Sequence, residues 1–148
     1  MKFVPCTEEY WEFVRTLRTD ARVAHRFSQV EITTEQQRKY MTAHWREYFI
    51  ALANSAPAGY AGCVDGGIRI CTHPDFQRRG VASFMMEHMI VKFPNAFATI
   101  KLDNEASRKL FEACGFIPTY TVYERPHEQD ASHFVDSKFV EVRSDYLP

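Results

Sequence analysis

The chain has 148 residues, 45% hydrophobic and 25% charged, which suits one globular domain with a real apolar core. Its formal net charge of −1 supplies no general pull toward nucleic acid or an anionic bilayer. No apolar run reaches the roughly 18 residues that a membrane-spanning helix needs. Nucleic-acid and membrane partners are therefore not expected.

The N-terminus turns acidic at Glu8 and Glu9 before a signal-peptide core could form, which reads as cytoplasmic. Cys6, Cys63, Cys71 and Cys114 are scattered, with no Cys-x-x-Cys pair, and read as free thiols. The histidines show no metal-ligand spacing, so no metal is expected.

Lys2 to Cys6 predicts a short strand stopped by Pro5. Thr7, followed by Glu8 and Glu9, opens a helix on which Tyr10, Val14, Leu17 and Ala21 recur. Arg22 to Ile32 has weak periodicity and reads as a loop. Thr33 or Thr34 caps a second helix, with Gln36 or Gln37 three residues on and Tyr40, Met41, His44, Trp45 and Tyr48 on one face. Tyr48 to Ala53 and Gly59 to Val64 predict two strands around a turn at Asn54 to Pro57. Asp65-Gly66 suits a tight hairpin with positive φ, and Ile68 to Thr72 continues the meander.

Val81, Phe84, Met85, His88 and Met89 fall at helical spacing, and Phe97 to Leu102 is strand-like. Asn104 is a favoured cap for a helix ending at Gly115, where a left-handed residue is wanted. Phe116 to Tyr123 and Phe134 to Val142 predict two last strands around a polar, Pro-broken loop at Glu124 to His133. The order is that of one α+β unit around a mostly antiparallel sheet.

Between the strand ending at Thr72 and the helix opening at Val81 lies His73-Pro74-Asp75-Phe76-Gln77-Arg78-Arg79-Gly80. The first N–H groups of a helix have no partner inside it, and the aligned peptide dipoles add positive potential there. Gly80 permits close main-chain approach, and Arg78 and Arg79 add two fixed charges. A pyrophosphate suits such a turn. No Walker pattern is present, so a plain nucleoside triphosphate is disfavoured.

Gln77-Arg78-Arg79-Gly80-Val81-Ala82 after the fourth strand resembles the Arg/Gln-x-x-Gly-x-Gly/Ala hallmark of the GNAT superfamily of acetyl-CoA-dependent N-acetyltransferases. The run Asn104 to Phe116 is similar to the family's Asn-x-x-Ser-x-x-x-Tyr-x-x-x-Gly-Phe helix. The resemblance covers roughly Lys2 to Tyr123. It implies a single acetyltransferase domain over 1–148, of three α/β/α layers, with about six or seven strands and about four helices. It also implies acetyl-CoA as co-substrate, with its pyrophosphate on the amides of Gln77, Arg78, Arg79, Gly80, Val81 and Ala82. Its pantetheine arm would lie along Ile70, Cys71 and Thr72. Asn104, Ser107 and Phe111 join this cofactor set through the second motif.

An amide of Cys71 or Thr72 is then positioned to polarise the thioester carbonyl, whereas the Cys71 thiol reads as packing in a buried strand. A protonated alkylamine must lose a proton before attack; Asp65 and His73 are the base candidates. Turn and loop roles are the plain alternatives for both. The family's Tyr acid is replaced by Phe111, which has no proton to give, so the thiolate leaves unassisted or a hydroxyl such as Tyr123 or Ser107 reaches it. His25, His44, Trp45 and Tyr48 are candidates for lining the acceptor pocket. The expected acceptor is the primary amine of a small molecule or amino sugar. The alternatives are a protein N-terminus or lysine, or a module that binds acyl-CoA without catalysis. Phe134, Phe139 and Tyr146 offer a candidate homodimer surface.

Overall fold

The computed structural model describes residues 1–27 and 31–125. The chain divides into two compact units, Met1–Ala98 and Thr99–Pro148.

The first unit is built on an antiparallel sheet of β1 (Lys2–Pro5), β2 (Tyr48–Ala53), β3 (Ala56–Val64) and β4 (Gly67–Thr72), in that spatial order. Three α-helices accompany it: α1 (Trp11–Thr19), α2 (Thr34–His44) and α3 (Val81–Lys92). The expected helix start at Thr7 is a 3₁₀ turn, Glu8–Tyr10, that leads into α1. Thr33 is the cap of α2: its side chain accepts from the Gln36 N–H while the Gln36 side chain accepts from the Thr33 N–H.

Side-chain alternation sends the two faces of the sheet to different helices. On one face Tyr48, Ile50, Tyr60, Val64 and Cys71 join Val14, Leu17 and Met41 in an apolar cluster. On the other, Phe3 stacks on Phe49 at 5.1 Å and meets Phe84 and His88 of α3. Helices therefore cover both faces, and each fully buried large side chain contributes about 2 kcal/mol. Cys6, Cys63, Cys71 and Cys114 are free thiols. Asp65 (φ +51°) and Gly66 (φ +79°) form the tight turn between β3 and β4, as the Asp-Gly pair predicts.

The expectation of six or seven strands does not hold among the described residues, where four are present. Phe97–Leu102 contributes a single parallel bridge, Phe97 to Gly67. The Phe97 N–H donates to the Gly66 carbonyl and the Ile68 N–H to the Phe97 carbonyl, and no further bridge to β4 follows among the described residues. Residues 116–123 carry β-branched and aromatic side chains but pair with no strand among the described residues. Strand propensity is realised only where a partner edge is available. The strand expected at Phe134–Val142, and the candidate dimer aromatics, lie outside the described residues.

In the second unit α4 (Glu105–Ala113) is capped at both ends by the predicted residues. The Asn104 side chain accepts from the Ser107 N–H at 3.2 Å. Gly115, at φ +87°, lets its own N–H donate to the Glu112 carbonyl and that of Phe116 to the Phe111 carbonyl, both at 3.0 Å. This is the double hydrogen bond of a Schellman terminus, and Phe111 meets Phe116 edge-on at 5.0 Å across it.

Candidate active site

A bulge in β3 sets how the chain leaves β4. The register between β2 and β3 shifts at Ala51/Leu52 and leaves Ala58 as the extra residue. Its carbonyl accepts the His73 N–H at 2.8 Å, fixing the exit direction. His73 then caps the 3₁₀ turn Pro74–Phe76, its Nδ1 accepting the Asp75 N–H at 3.2 Å. Arg78 (φ +59°) and Gly80 (φ +76°) both take left-handed backbone before α3 begins. For an arginine that conformation costs about 1–2 kcal/mol.

From Arg78 to Ser83 no main-chain N–H has a hydrogen-bond acceptor among the described residues; the first helical bond of α3 is Phe84 to Gly80. No side chain caps α3. Gln77, Arg78, Arg79 and Gly80 are exposed, and Val81 is buried. Neither arginine makes an ion pair among the described residues, although Arg79 lies 5.7 Å over the Phe76 ring. Unbonded donors, two unmatched cations and a helix N-terminus together match a bound diphosphate. Beside the turn, an open hollow of about 220 Å³ reaches Phe76, Arg79 and Val81. It is too small for a whole dinucleotide-sized ligand, which would have to lie along the surface.

A surface of that kind is available on β4. Antiparallel pairing with β3 turns alternate residues of β4 to the outer edge. Ile68 is one of them, since its N–H reaches Phe97, and Ile70 and Thr72 share its parity. No strand pairs with these two on the outside among the described residues. Cys71 has the opposite parity and pairs with Tyr60. Of the two amides considered for the thioester carbonyl, that of Thr72 therefore faces the open edge. Burial pushes the Cys71 thiol up to about 12, which leaves no thiolate for covalent attack.

Asp65 and His73 stand beyond opposite ends of β4, whose six residues alone span about 20 Å at some 3.3 Å per residue, and cannot serve one reacting atom. With Nδ1 accepting a hydrogen bond, a neutral His73 carries its proton on Nε2 and has no free lone pair. His73 also stacks on Phe13 at 6.3 Å, a positioning role that its place before Pro74 did not reveal. Asn104, Ser107 and the buried Phe111 belong to the second unit; Tyr123 lies outside any helix or strand and is 89% exposed.

On the α1 and α2 face a polar cluster was legible only in part. The Arg69 Nη1 donates to the Tyr40 hydroxyl at 2.7 Å, and the Tyr40 and Tyr48 hydroxyls share a hydrogen bond of 3.1 Å. Tyr40 packs on His44 at 4.6 Å, and His44 pairs with Glu47 at 2.8 Å. Of the pocket candidates, His44 and Tyr48 join this cluster. His25 is exposed, and the half-buried Trp45 lies under Arg46. The missed signal was Arg69, a cation in the middle of an apolar strand.

Arg22 joins the α1–α2 connection to the β4–α3 turn, bonding Asp20 at 2.7 Å and Asp75 at 3.0 Å. Hydrogen bonds from the Arg22 side chain, then its backbone, hold the Asp20 carboxyl at about 2. Its unfolded value is about 3.9, so the folded form binds the proton more weakly. The pair therefore stabilises the fold above about pH 4, and that contribution is lost as pH falls through about 2. The difference in melting temperature between the parent and Asp20→Asn is expected to narrow over that window. A pH-independent difference would refute the linkage.

Residues 10–116 match the acetyltransferase (GNAT) family, and the chain belongs to that family, whose members are acyltransferases. No curated protein is significantly similar in sequence. Among solved structures, yncA of Salmonella typhimurium with its cofactor acetyl-CoA has a TM-score of 0.74 at 16% identity, covering 95% of this chain and 89% of its own. The spermidine N-acetyltransferase of Vibrio cholerae, in complex with CoA and spermine, gives 0.72 at 13% identity, covering 95% and 90%. The ribosomal-protein-alanine N-acetyltransferase of Brucella melitensis gives 0.73 at 15%, covering 82% and 88%. At these identities the likeness shows the fold. Among the described residues no group of His, Cys, Asp or Glu is arranged to hold a metal ion, and no helix is long and apolar enough to cross a membrane.

Proposed function

We propose that the chain transfers an acetyl group from acetyl-CoA directly to a primary amine of a small molecule or amino sugar in the cytoplasm. The carrying observation is the run of N–H groups from Arg78 to Ser83 that find no acceptor among the described residues, at the end of a strand whose outer edge none of those residues pairs beyond Ile68. The family match spans both units, which supports their working as one domain. Gln77 to Ala82 hold the pyrophosphate. Ile70 and Thr72 offer main-chain groups to the pantetheine arm as an added strand would, while Cys71 holds β4 to β3. The resemblance of the second motif adds Asn104, Ser107 and Phe111 as further candidate cofactor residues.

In the transfer, the amine nitrogen attacks the thioester carbonyl carbon, a C–N bond forms and the C–S bond breaks. The Thr72 N–H stabilises the developing oxyanion. The amine proton passes to water along the open edge, with Asp65 the exposed carboxylate at its far end. A thiolate of pKa about 8.5 is a tolerable leaving group, so Phe111 in place of an acid is compatible with turnover, and Tyr123 is not required.

The test is purified protein with acetyl-CoA, followed by thermal shift and by thiol release against a panel of amines. The expected result is a shift with acetyl-CoA alone, thiol release only when an amine is added, and an unchanged intact protein mass. A shift without release under any acceptor would mark a binding module; release only with peptides would move the substrate to protein.

A further inference from the structure

In the transfer described above the amine proton passes to water, and no side chain on the α1 and α2 face of the sheet takes part. That face carries a histidine–carboxylate pair at the junction of α2 and β2. α2 ends in His44, and the 3₁₀ turn Trp45–Glu47 that follows brings the Glu47 carboxylate back to the ring. The Glu47 Oε2 lies 2.8 Å from the His44 Nδ1. A carboxylate only accepts, so Nδ1 carries the hydrogen and the neutral ring keeps its lone pair on Nε2. No described residue occupies Nε2, and the side chain is half-buried. His73 is bonded in the opposite sense, its Nδ1 accepting.

Direct contacts tie this ring to β4. Tyr48, Gly62 and Arg69 face one another across β2, β3 and β4. Gly62 has no side chain, and a Cβ there would stand 2.7 Å from the Tyr48 ring. The ring therefore lies across β3 toward β4, and its hydroxyl ends 3.5 Å from the Arg69 Nη1. The Tyr40 hydroxyl reaches the same atom from α2 at 2.7 Å and meets the Tyr48 hydroxyl at 3.1 Å. The Tyr40 ring in turn packs on His44 at 4.6 Å. Two contacts, His44 to Tyr40 and Tyr40 to Arg69, thus join the imidazole to the middle of β4, next to Ile70 and its outward main chain. The other groups at this spot do not compete for a proton. Burial pushes the Tyr40 phenol well above its ordinary range. Burial, then the Glu47 charge, pushes the Cys63 thiol up as well. Arg69 keeps its charge throughout.

We propose that His44 is the general base of the transfer, with Glu47 as its positioning residue. This role rests on the acetyl-transfer reading above. His44 Nε2 takes one proton of the substrate ammonium, directly or through one water. The freed nitrogen lone pair attacks the thioester carbon; the C–N bond forms, the C–S bond breaks and its electron pair leaves on sulfur. The amide nitrogen keeps one hydrogen and sheds the other to the thiolate, while the imidazolium returns its proton to solvent. Glu47 holds the ring in the required tautomer and offsets the charge it gains.

The test is thiol release from acetyl-CoA at neutral pH with two acceptors. One is the alkylamine of the panel that turns over fastest. The other is its β,β-difluoro analogue, nearly the same in shape but far less basic. The first arrives protonated and needs the base; the second arrives largely neutral. His44→Ala and His44→Gln are each expected to lower kcat/KM by about a hundredfold for the alkylamine, and by less than about tenfold for the difluoro analogue. Imidazole added to His44→Ala should restore part of the loss. Glu47→Gln, which keeps an acceptor for Nδ1 but removes the charge, should cost about tenfold with the same bias toward the basic amine. The acetyl-CoA thermal shift is expected to be unchanged in all three variants, which reports a folded protein with its cofactor site intact. Equal losses on the two amines, or no loss in either His44 variant, overturn the base alone. A parent protein that gives thiol release with none of the amines overturns the transfer reading and the base with it.

Discussion

Replacing Gly80 by Glu is expected to abolish the thermal shift given by acetyl-CoA while leaving a folded protein. Gly80 has φ +76°, and a Cβ built there meets nothing within 4 Å. The folding cost is therefore left-handed strain alone, about 1–2 kcal/mol, or about 2–8 °C in melting temperature for a chain of this size. The binding cost is of another order. The side chain would project from the turn whose N–H groups and arginines await a diphosphate, and it would bring a negative charge into that site. Affinity is expected to fall more than about a hundredfold, since like charges at close range in a donor-lined site cost several kcal/mol. Gly80→Ala separates the two effects: it carries the same strain with little bulk and no charge, and should keep a weakened shift. An undiminished shift in Gly80→Glu would place the diphosphate elsewhere.

The parts of this site that could be read from sequence are those set by short-range backbone chemistry. Asp65-Gly66 needs only local positive φ, Thr33 and Asn104 cap helices through N–H groups three residues away, and Gly115 closes α4 through its own conformation. The turn at Gln77–Gly80 is of the same kind. What depended on distant partners was not legible. The stretch from Phe97 to Leu102 has the residues of a strand, but among the described residues it forms a single bridge to the sheet, at Phe97. Arg69 meets Tyr40 across 29 residues of sequence, and no local pattern encodes that contact. His73 looked like a loop residue or a base. Its role as cap depends on the Ala58 bulge, which sequence periodicity does not reveal.

That bulge also makes the end of β4 sensitive to a residue with no polar function. Gly59→Ala is expected to destabilise the fold by about 3 kcal/mol and to weaken acetyl-CoA binding together with it. A Cβ at Gly59 would stand 2.7 Å from the Cys71 carbonyl oxygen, 2.9 Å from the Met85 Cε and 3.2 Å from the Thr72 Cα. Met85 is fully buried beneath the sheet, so its terminal methyl has little room to yield. The Cys71 carbonyl is main chain and can retreat only if β4 parts from β3. Such a movement shifts Ile70 and Thr72, whose outward groups form the open edge, and it pulls on the His73 N–H held by Ala58. Packing error and loss of binding therefore share one cause. At about 2–4 °C per kcal/mol, the melting temperature should fall by about 6–12 °C, with the acetyl-CoA dissociation constant raised in the fraction that stays folded. A melting temperature within about 2 °C of the parent would show that β3 and β4 can separate at Gly59 without penalty, and the edge would then be too compliant to hold the arm in register.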